Sequence, residues 1–172
     1  AGDLALAGHE VVLWRRGSSD VARHRELKNK IVVRDSSGRR EALLSKVTDR
    51  IDEALDGANL ILCPLPATVH EDLAKVVAPH LRPGQVVFMP PGTLGTLIFA
   101  RAAEAANTAK GVAFAESGTL PWLVRKHGFA EVVITARATR LPTGVFPLVA
   151  EKSAIGTISQ AFPTAIEPCG DA

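Results

Sequence analysis

The chain has 172 residues, 47% of them hydrophobic and 22% charged, with a formal net charge of +2. That composition is ordinary for a globular protein with a sizeable core. It excludes the strongly basic footprint of a nucleic-acid binder, and no apolar run is long enough to span a bilayer.

Ala1 to Ala7 is rich in alanine and leucine and predicts a helix, ended by Gly8 at the position that favours a left-handed residue. "EVVLW", Glu10 to Trp14, is a continuous apolar run, the pattern of a strand covered on both faces. Ser19 to Asn29 is polar, and helical or irregular. "KIVVRDSSGRREALLSKV" predicts two strands around the turn signal "DSSG". Asp49 to Leu55 predicts a short helix stopped by Gly57, and "NLILCPLP" a second buried strand stopped by Pro64 and Pro66.

Thr68-Val69-His70-Glu71 has the spacing of a capping box. The helix behind it carries an apolar stripe at Val69, Leu73, Val76, Val77 and Leu81, and Pro79 should end or kink it. "RPGQ" predicts a type II turn around Pro83 and Gly84. "VVFM" is a third buried strand, with "PPGTLG" as its exit loop; Thr96 to Ala106 is a helix, and "GVAFAES" a fourth strand. "AEVVITAR" is a fifth, and Ser153 is a candidate cap for a last helix before Phe162.

Alternating strands and helices imply a Rossmann-type, doubly wound α/β fold, with a mostly parallel sheet and helices on both faces. Ligands of such sheets lie outside the carboxyl ends of the strands. Here those ends are Trp14-Arg15-Arg16, Cys63-Pro64-Leu65-Pro66, Met89-Pro90-Pro91-Gly92 and Glu116-Ser117-Gly118. Prolines and glycines there suit rigid loops that let backbone approach a ligand. In a dinucleotide-binding fold the second strand ends beside the adenosine ribose, where an acidic residue selects NAD and an arginine pairs with the 2′-phosphate of NADP. "RRGSS" offers Arg15, Arg16, Ser18 and Ser19, with no acidic residue at the strand end. The expected cofactor is NADP, with NAD as the alternative; a solvated basic pair is the other reading of the same residues.

The usual first strand and its glycine-rich phosphate turn are missing from this stretch, and "GTLG" at 92–95 is no substitute, because it follows a later strand. The chain opens at Ala1 inside a helix and ends in "EPCGDA" without a closing element. It therefore reads as a single incomplete dinucleotide-binding domain, 1–172, of a longer protein. No export signal is visible, so a cytoplasmic location is expected.

"PATVHEDLAKVVAPHLRPGQVVFMPPGTLGTLIFA" followed by "AESGTLPWLVRK" resembles the nucleotide-binding domain of the opine (octopine/nopaline) dehydrogenases. The most specific segment is Ala115 to Trp122; "AGHEVVLWRR" fits but is generic among related reductases. The resemblance implies NADH- or NADPH-dependent reduction of the imine formed from a 2-oxo acid and an amino acid. It places Pro64, Leu65, Pro66 and Ala67, with Pro90, Pro91 and Gly92, near the cofactor. It places Glu116, Ser117 and Thr119 near the nicotinamide and the substrate's amino-acid part. Gly118 and Trp122 depart from the bulkier polar residue and the tyrosine expected there. The family's catalytic His and Asp lie in an all-helical C-terminal domain absent from this stretch, the one partner the resemblance implies besides the small-molecule substrates, so no catalytic residue is assigned here. Glycerol-3-phosphate dehydrogenase and ketopantoate reductase relatives, and a non-catalytic nucleotide-binding module, are the alternatives.

The remaining chemistry-bearing residues read as bland. Cys63 and Cys169 are too far apart in sequence for a disulfide framework or a zinc site, and Cys63 reads as a buried apolar residue. His70 and His80 read as surface positions, His127 as a polar loop residue, and His9 and His24 have no catalytic neighbours. For Glu116 the competing reading is a strand-end residue paired with Arg125 or Lys126. No metal site is expected.

Overall fold

The computed structural model describes residues 1–172, which divide into two compact units: 1–56 with 122–137, and 57–121 with 138–172.

The first unit begins with helix α1 (Gly2–Leu6), strand β1 (Val12–Trp14) and helix α2 (Ser18–Glu26). The hairpin β2 (Lys30–Asp35) and β3 (Gly38–Leu43) follows, as "DSSG" predicts, and then β4 (Lys46–Thr48) and α3 (Ile51–Leu55). A second hairpin, β8 (Trp122–Gly128) and β9 (Glu131–Arg137), returns to this unit from later in the chain. β1 pairs in parallel with β4, and the other four strands form a sheet in the order β3-β2-β9-β8, with β2 and β9 parallel. Val21, Ile31, Val33, Ala42, Leu44, Val47 and Ile134 form the core.

One guanidinium ties three elements of this unit together. Arg137 at the end of β9 donates to Asp3 of α1 (Nε to Oδ2, 3.0 Å) and to Asp35 of β2 (2.7 Å). The Trp122 indole also donates to Asp3, at 2.7 Å, and Arg40 pairs with Asp35. Trp122 thus belongs to this ionic knot.

The second unit is a five-stranded sheet in the order β11-β10-β7-β6-β5, built from β5 (Leu60–Leu62), β6 (Val86–Met89), β7 (Ala113–Ser117), β10 (Arg140–Phe146) and β11 (Ala165–Pro168). Helices α4 (His70–Val77) and α5 (Gly95–Ala105) cross over between the parallel strands β5, β6 and β7, and α6 (Glu151–Ala161) crosses over between the parallel pair β10 and β11. Parallel crossovers are right-handed. Because β10 and β11 run antiparallel to β7, the same hand puts α6 on the opposite face from α4 and α5. Side chains alternate accordingly: Phe88 of β6 meets Phe162 at the end of α6, while its neighbour Met89 points to Gly95 at the start of α5. All four residues of β6 are buried, so this strand is covered on both faces.

Four elements escape the sequence reading: β4, which the two-strand reading of "KIVVRDSSGRREALLSKV" merged with β3, and β8, β10 and β11. Two caps are also revised. Thr68 stands exposed in a 3-10 turn (Ala67–Val69), the α-helix begins only at His70, and the Glu71 carboxylate is taken by Lys75 at 2.8 Å, so no capping box forms. Ser153 lies inside the first turn of α6 and donates back to the Ala150 carbonyl at 2.9 Å, so it is not the N-cap. The 82–85 turn closes as predicted, Gln85 N donating to the Arg82 carbonyl at 3.2 Å.

Burial pushes the Asp3 pKa up, toward the neutral form, but hydrogen bonds from Arg137 and Trp122 outweigh it and hold the carboxyl below its usual range. Arg137 likewise holds Asp35 low, against a smaller effect of burial. Such groups stabilise the fold above the unfolded carboxylate value, about 3.9, and lose that contribution as pH falls through the folded value. Asp3→Asn should therefore cost about 1–3 kcal/mol at pH 7, the usual worth of hydrogen bonds to a charged group. Urea unfolding of both proteins should show this gap closing as pH falls below 4; a constant gap would contradict the assignment.

Candidate functional site

The carboxyl ends of β5, β6 and β7 lie side by side, with Leu62 opposite Phe88 and Met89 opposite Glu116. Three of the four predicted exit segments therefore share one edge of one sheet. Cys63 N continues the ladder to the Phe88 carbonyl at 2.8 Å, and Pro64, Leu65 and Pro66 then turn outward and are exposed. Cys63 itself is buried, and burial pushes its thiol up to about 12, so it is no nucleophile.

The β6 exit loop is locked onto the end of β7. Gly92 N donates to the Ser117 carbonyl at 3.0 Å. A Cβ on Gly92 would stand 2.1 Å from the Glu116 Cβ, so only glycine fits. Thr93 and Leu94 both adopt left-handed backbone, with φ of 51° and 66°. Such conformations cost about 1–3 kcal/mol each at non-glycine residues and collect at functional loops. Glu116 offsets that strain: its carboxylate accepts from Leu94 N (3.2 Å), Thr96 N (3.0 Å) and the Thr96 hydroxyl (3.1 Å). It fills the positive N-terminus of α5 in the role of a capping anion. These partners replace the pairing with Arg125 or Lys126 that the sequence left open.

His70 is the residue that sequence reasoning missed. It is completely buried, not on the surface, and its Nε2 lies 3.0 Å from the Leu65 carbonyl. Its Nδ1 has no partner, and a Cβ on Gly95 would stand 2.7 Å from that atom. One imidazole thus holds the β5 exit loop and packs against the start of α5. The only sequence signal was its position six residues beyond Pro64. At the end of β7, the buried Ser117 hydroxyl donates to the Thr119 carbonyl at 2.8 Å, leaving Thr119 exposed.

In the first unit, β1 delivers Arg15 and Arg16 to its carboxyl end, where Arg15 N bonds the Thr48 carbonyl at 2.9 Å. The Arg15 guanidinium pairs with Asp20, its Nε lying 3.1 Å from Oδ2. This hydrogen bond leads the effects that hold the Asp20 carboxyl below its usual range. Asp20 is the acidic neighbour that the linear reading lacked: the first turn of α2 folds it back five residues onto the strand end. Arg16 and Ser18 are exposed, and Arg16 makes no ion pair. His127 and His80 are exposed, and no group of three or more His, Cys, Asp or Glu side chains is arranged to hold a metal ion. No helix is long and apolar enough to cross a membrane.

Two substitutions test this bracing. Gly92→Ala should destabilise the fold by about 2 kcal/mol or more, because the added methyl overlaps Glu116. His70→Ala should cost about 2–4 kcal/mol, from the cavity and the unbonded Leu65 carbonyl. Urea unfolding midpoints within error of the parent for both would remove the bracing claim.

No family model matches the chain. It is 24% identical over 162 residues to an opine dehydrogenase of Arthrobacter sp. (strain 1C), a match covering 93% of this chain and 44% of that protein. Among solved structures, octopine dehydrogenase in complex with NADH and agmatine superposes with a TM-score of 0.78 at 18% identity, covering 98% of this chain and 44% of that one. Yersinopine dehydrogenase bound to NADP+ gives 0.72 at 12% identity, covering 94% and 42%. A ketopantoate reductase from Ralstonia eutropha JMP134 gives 0.67 at 19% identity, covering 97% and 51%. The chain thus spans about half or less of the length of these relatives. It has the Rossmann-type α/β fold found in octopine dehydrogenase and ketopantoate reductase, and its sequence is similar to that of an opine dehydrogenase over nearly its whole length.

Proposed function

We propose that this chain is the cofactor-binding part of an NAD(P)H-dependent, opine dehydrogenase-like oxidoreductase. The observation that carries the reading is the braced edge of the second unit. Three exit loops meet there, one pressed so close to its neighbour that only Gly92 fits, and two backbone positions are held in costly conformations. Its similarity to an opine dehydrogenase, rather than the fold, selects among the chemistries that this fold serves.

In this reading Pro64, Leu65, Pro66, Pro91 and Gly92 line the cofactor with rigid backbone. The bound nicotinamide supplies the hydride that reduces an imine of a 2-oxo acid and an amino acid. Ser117 and Thr119 face the substrate side. Glu116 acts there through the loop it holds, since Leu94 and Thr96 occupy its oxygens. The proton-transferring residues belong to a helical domain outside this stretch, a domain that the resemblance supplies.

In the first unit, Arg15, Arg16 and Ser18 serve the 2′-phosphate that distinguishes NADPH from NADH. Arg16 fits this role as a free guanidinium, while Arg15 must share itself between the phosphate and Asp20. A ketopantoate reductase-like activity is the second reading, favoured by the 0.67 superposition over 97% of the chain.

Two experiments decide between these readings. The longer protein containing this chain should oxidise NADPH with pyruvate plus one of a panel of amino acids. Turnover of ketopantoate without an amine would transfer the assignment to the second reading. Arg15→Ala with Arg16→Ala should weaken NADPH binding at least tenfold, about what losing one charge-assisted hydrogen bond costs, and leave NADH binding nearly unchanged. Equal losses for both cofactors would refute the phosphate role.

A further inference from the structure

The tip of the β8–β9 hairpin carries Phe129, whose ring lies 4.6 Å from that of the buried His24 on α2. Two cations flank the same ring: the Arg23 guanidinium carbon lies 4.2 Å from its centroid, and the Lys126 Nζ 5.6 Å. Lys126 is also close enough to Asp20, the partner of Arg15, to favour its charged form. Arg15 and Lys126 therefore both act on the Asp20 carboxylate, with Arg16 next in sequence to Arg15.

Elsewhere in this unit, Lys30, Arg34, Arg40, Lys46, Arg50 and Arg137 each pair with a carboxylate. Arg23 and Lys126 have no such partner. Arg25, Lys28 and Arg125 of this unit also lack a carboxylate partner, but they are not gathered over a ring as Arg23 and Lys126 are. The aromatic face offsets part of the mutual repulsion of Arg23 and Lys126. It does not neutralise them. The neighbouring His24 resists adding a charge here: burial first, and then the Arg15 charge, holds its protonation below the ordinary range. A cluster of cations held over an aromatic ring, with neither Arg23 nor Lys126 in an ion pair, is suited to receive an anion.

We infer that Arg23 and Lys126, gathered over Phe129, form a second cationic arm beside Arg15 and Arg16 that binds a phosphomonoester. A phosphomonoester carries close to two charges and three acceptor oxygens, enough to engage a guanidinium fork and an ammonium together. If the cofactor reading above holds, the group bound is the 2′-phosphate of NADPH, and Lys126 and Arg23 help to set cofactor preference. Free phosphate has the same chemistry and is separated by the test.

The chain is titrated by calorimetry with adenosine 2′-phosphate, adenosine 5′-phosphate and inorganic phosphate. Arg23→Ala with Lys126→Ala should lose at least tenfold in affinity for the 2′-phosphate and little for the 5′-phosphate. Lys126→Arg should retain binding, as should Lys152→Ala on the exposed face of α6. Both altered side chains lie at the surface, and equal melting temperatures will show that the fold is intact. Loss of inorganic phosphate binding alone, in a chain that binds no adenosine phosphate, would support the anion site and defeat the cofactor reading. Undiminished binding of both the 2′-phosphate and inorganic phosphate by the double variant would overturn the inference and leave the cofactor reading standing. A parent chain that binds none of the three probes would overturn both.

Discussion

The Glu116 carboxylate sits at the N-terminus of α5 and accepts three hydrogen bonds from the loop that leaves β6. Most of what is distinctive about the second unit follows from that contact. It holds Leu94 in a left-handed conformation that leucine avoids, and it requires Gly92 to lie against it without a side chain. It also ties the end of β7 to the end of β6, where the sheet presents its carboxyl edge. His70 performs the matching task on the other side of β6, between the β5 exit loop and the start of α5. A ligand at this edge meets backbone already fixed in place, so little ordering entropy remains to be lost on binding.

The first unit solves a different problem. Its paired charges are structural where they are half-buried, as around Arg137, Asp3 and Asp35. Around α2 the balance shifts to cations in excess, with Asp20 paired to Arg15. Asp20 orients Arg15 and also competes with any incoming phosphate for it. Under the proposed cofactor reading, that competition would make discrimination between NADPH and NADH depend on the neighbouring cations as much as on Arg15.

How much of this the sequence discloses depends on which element is asked. The parallel strands β5, β6 and β7 are legible because burial on both faces demands continuous apolar runs, and their turns carry proline and glycine. β10 is not, although Leu141, Thr143 and Val145 alternate inward along it, because Pro142 and Gly144 read as breakers. β8 is hidden by Arg125, Lys126 and His127, all exposed along one half-covered strand. For the site, the exit-loop residues are legible from the fold pattern alone. Their bracing is not, since Glu116 and Thr96, like Trp122 and Asp3, meet only in three dimensions. His70 misleads because a polar residue at a helix start usually faces water; here the late start of α4 turns it inward.

The account's central claim is that the braced carboxyl edge of β5, β6 and β7 receives a nicotinamide cofactor. Amide chemical-shift mapping of the chain during an NADPH titration tests it most directly. Prolines give no amide signal, so the reporters are Leu65, Gly92, Ser117 and Thr119. Saturable shifts at these four, stronger than those in α6, are the result the account predicts. A titration that leaves all four unmoved at saturating NADPH would contradict it.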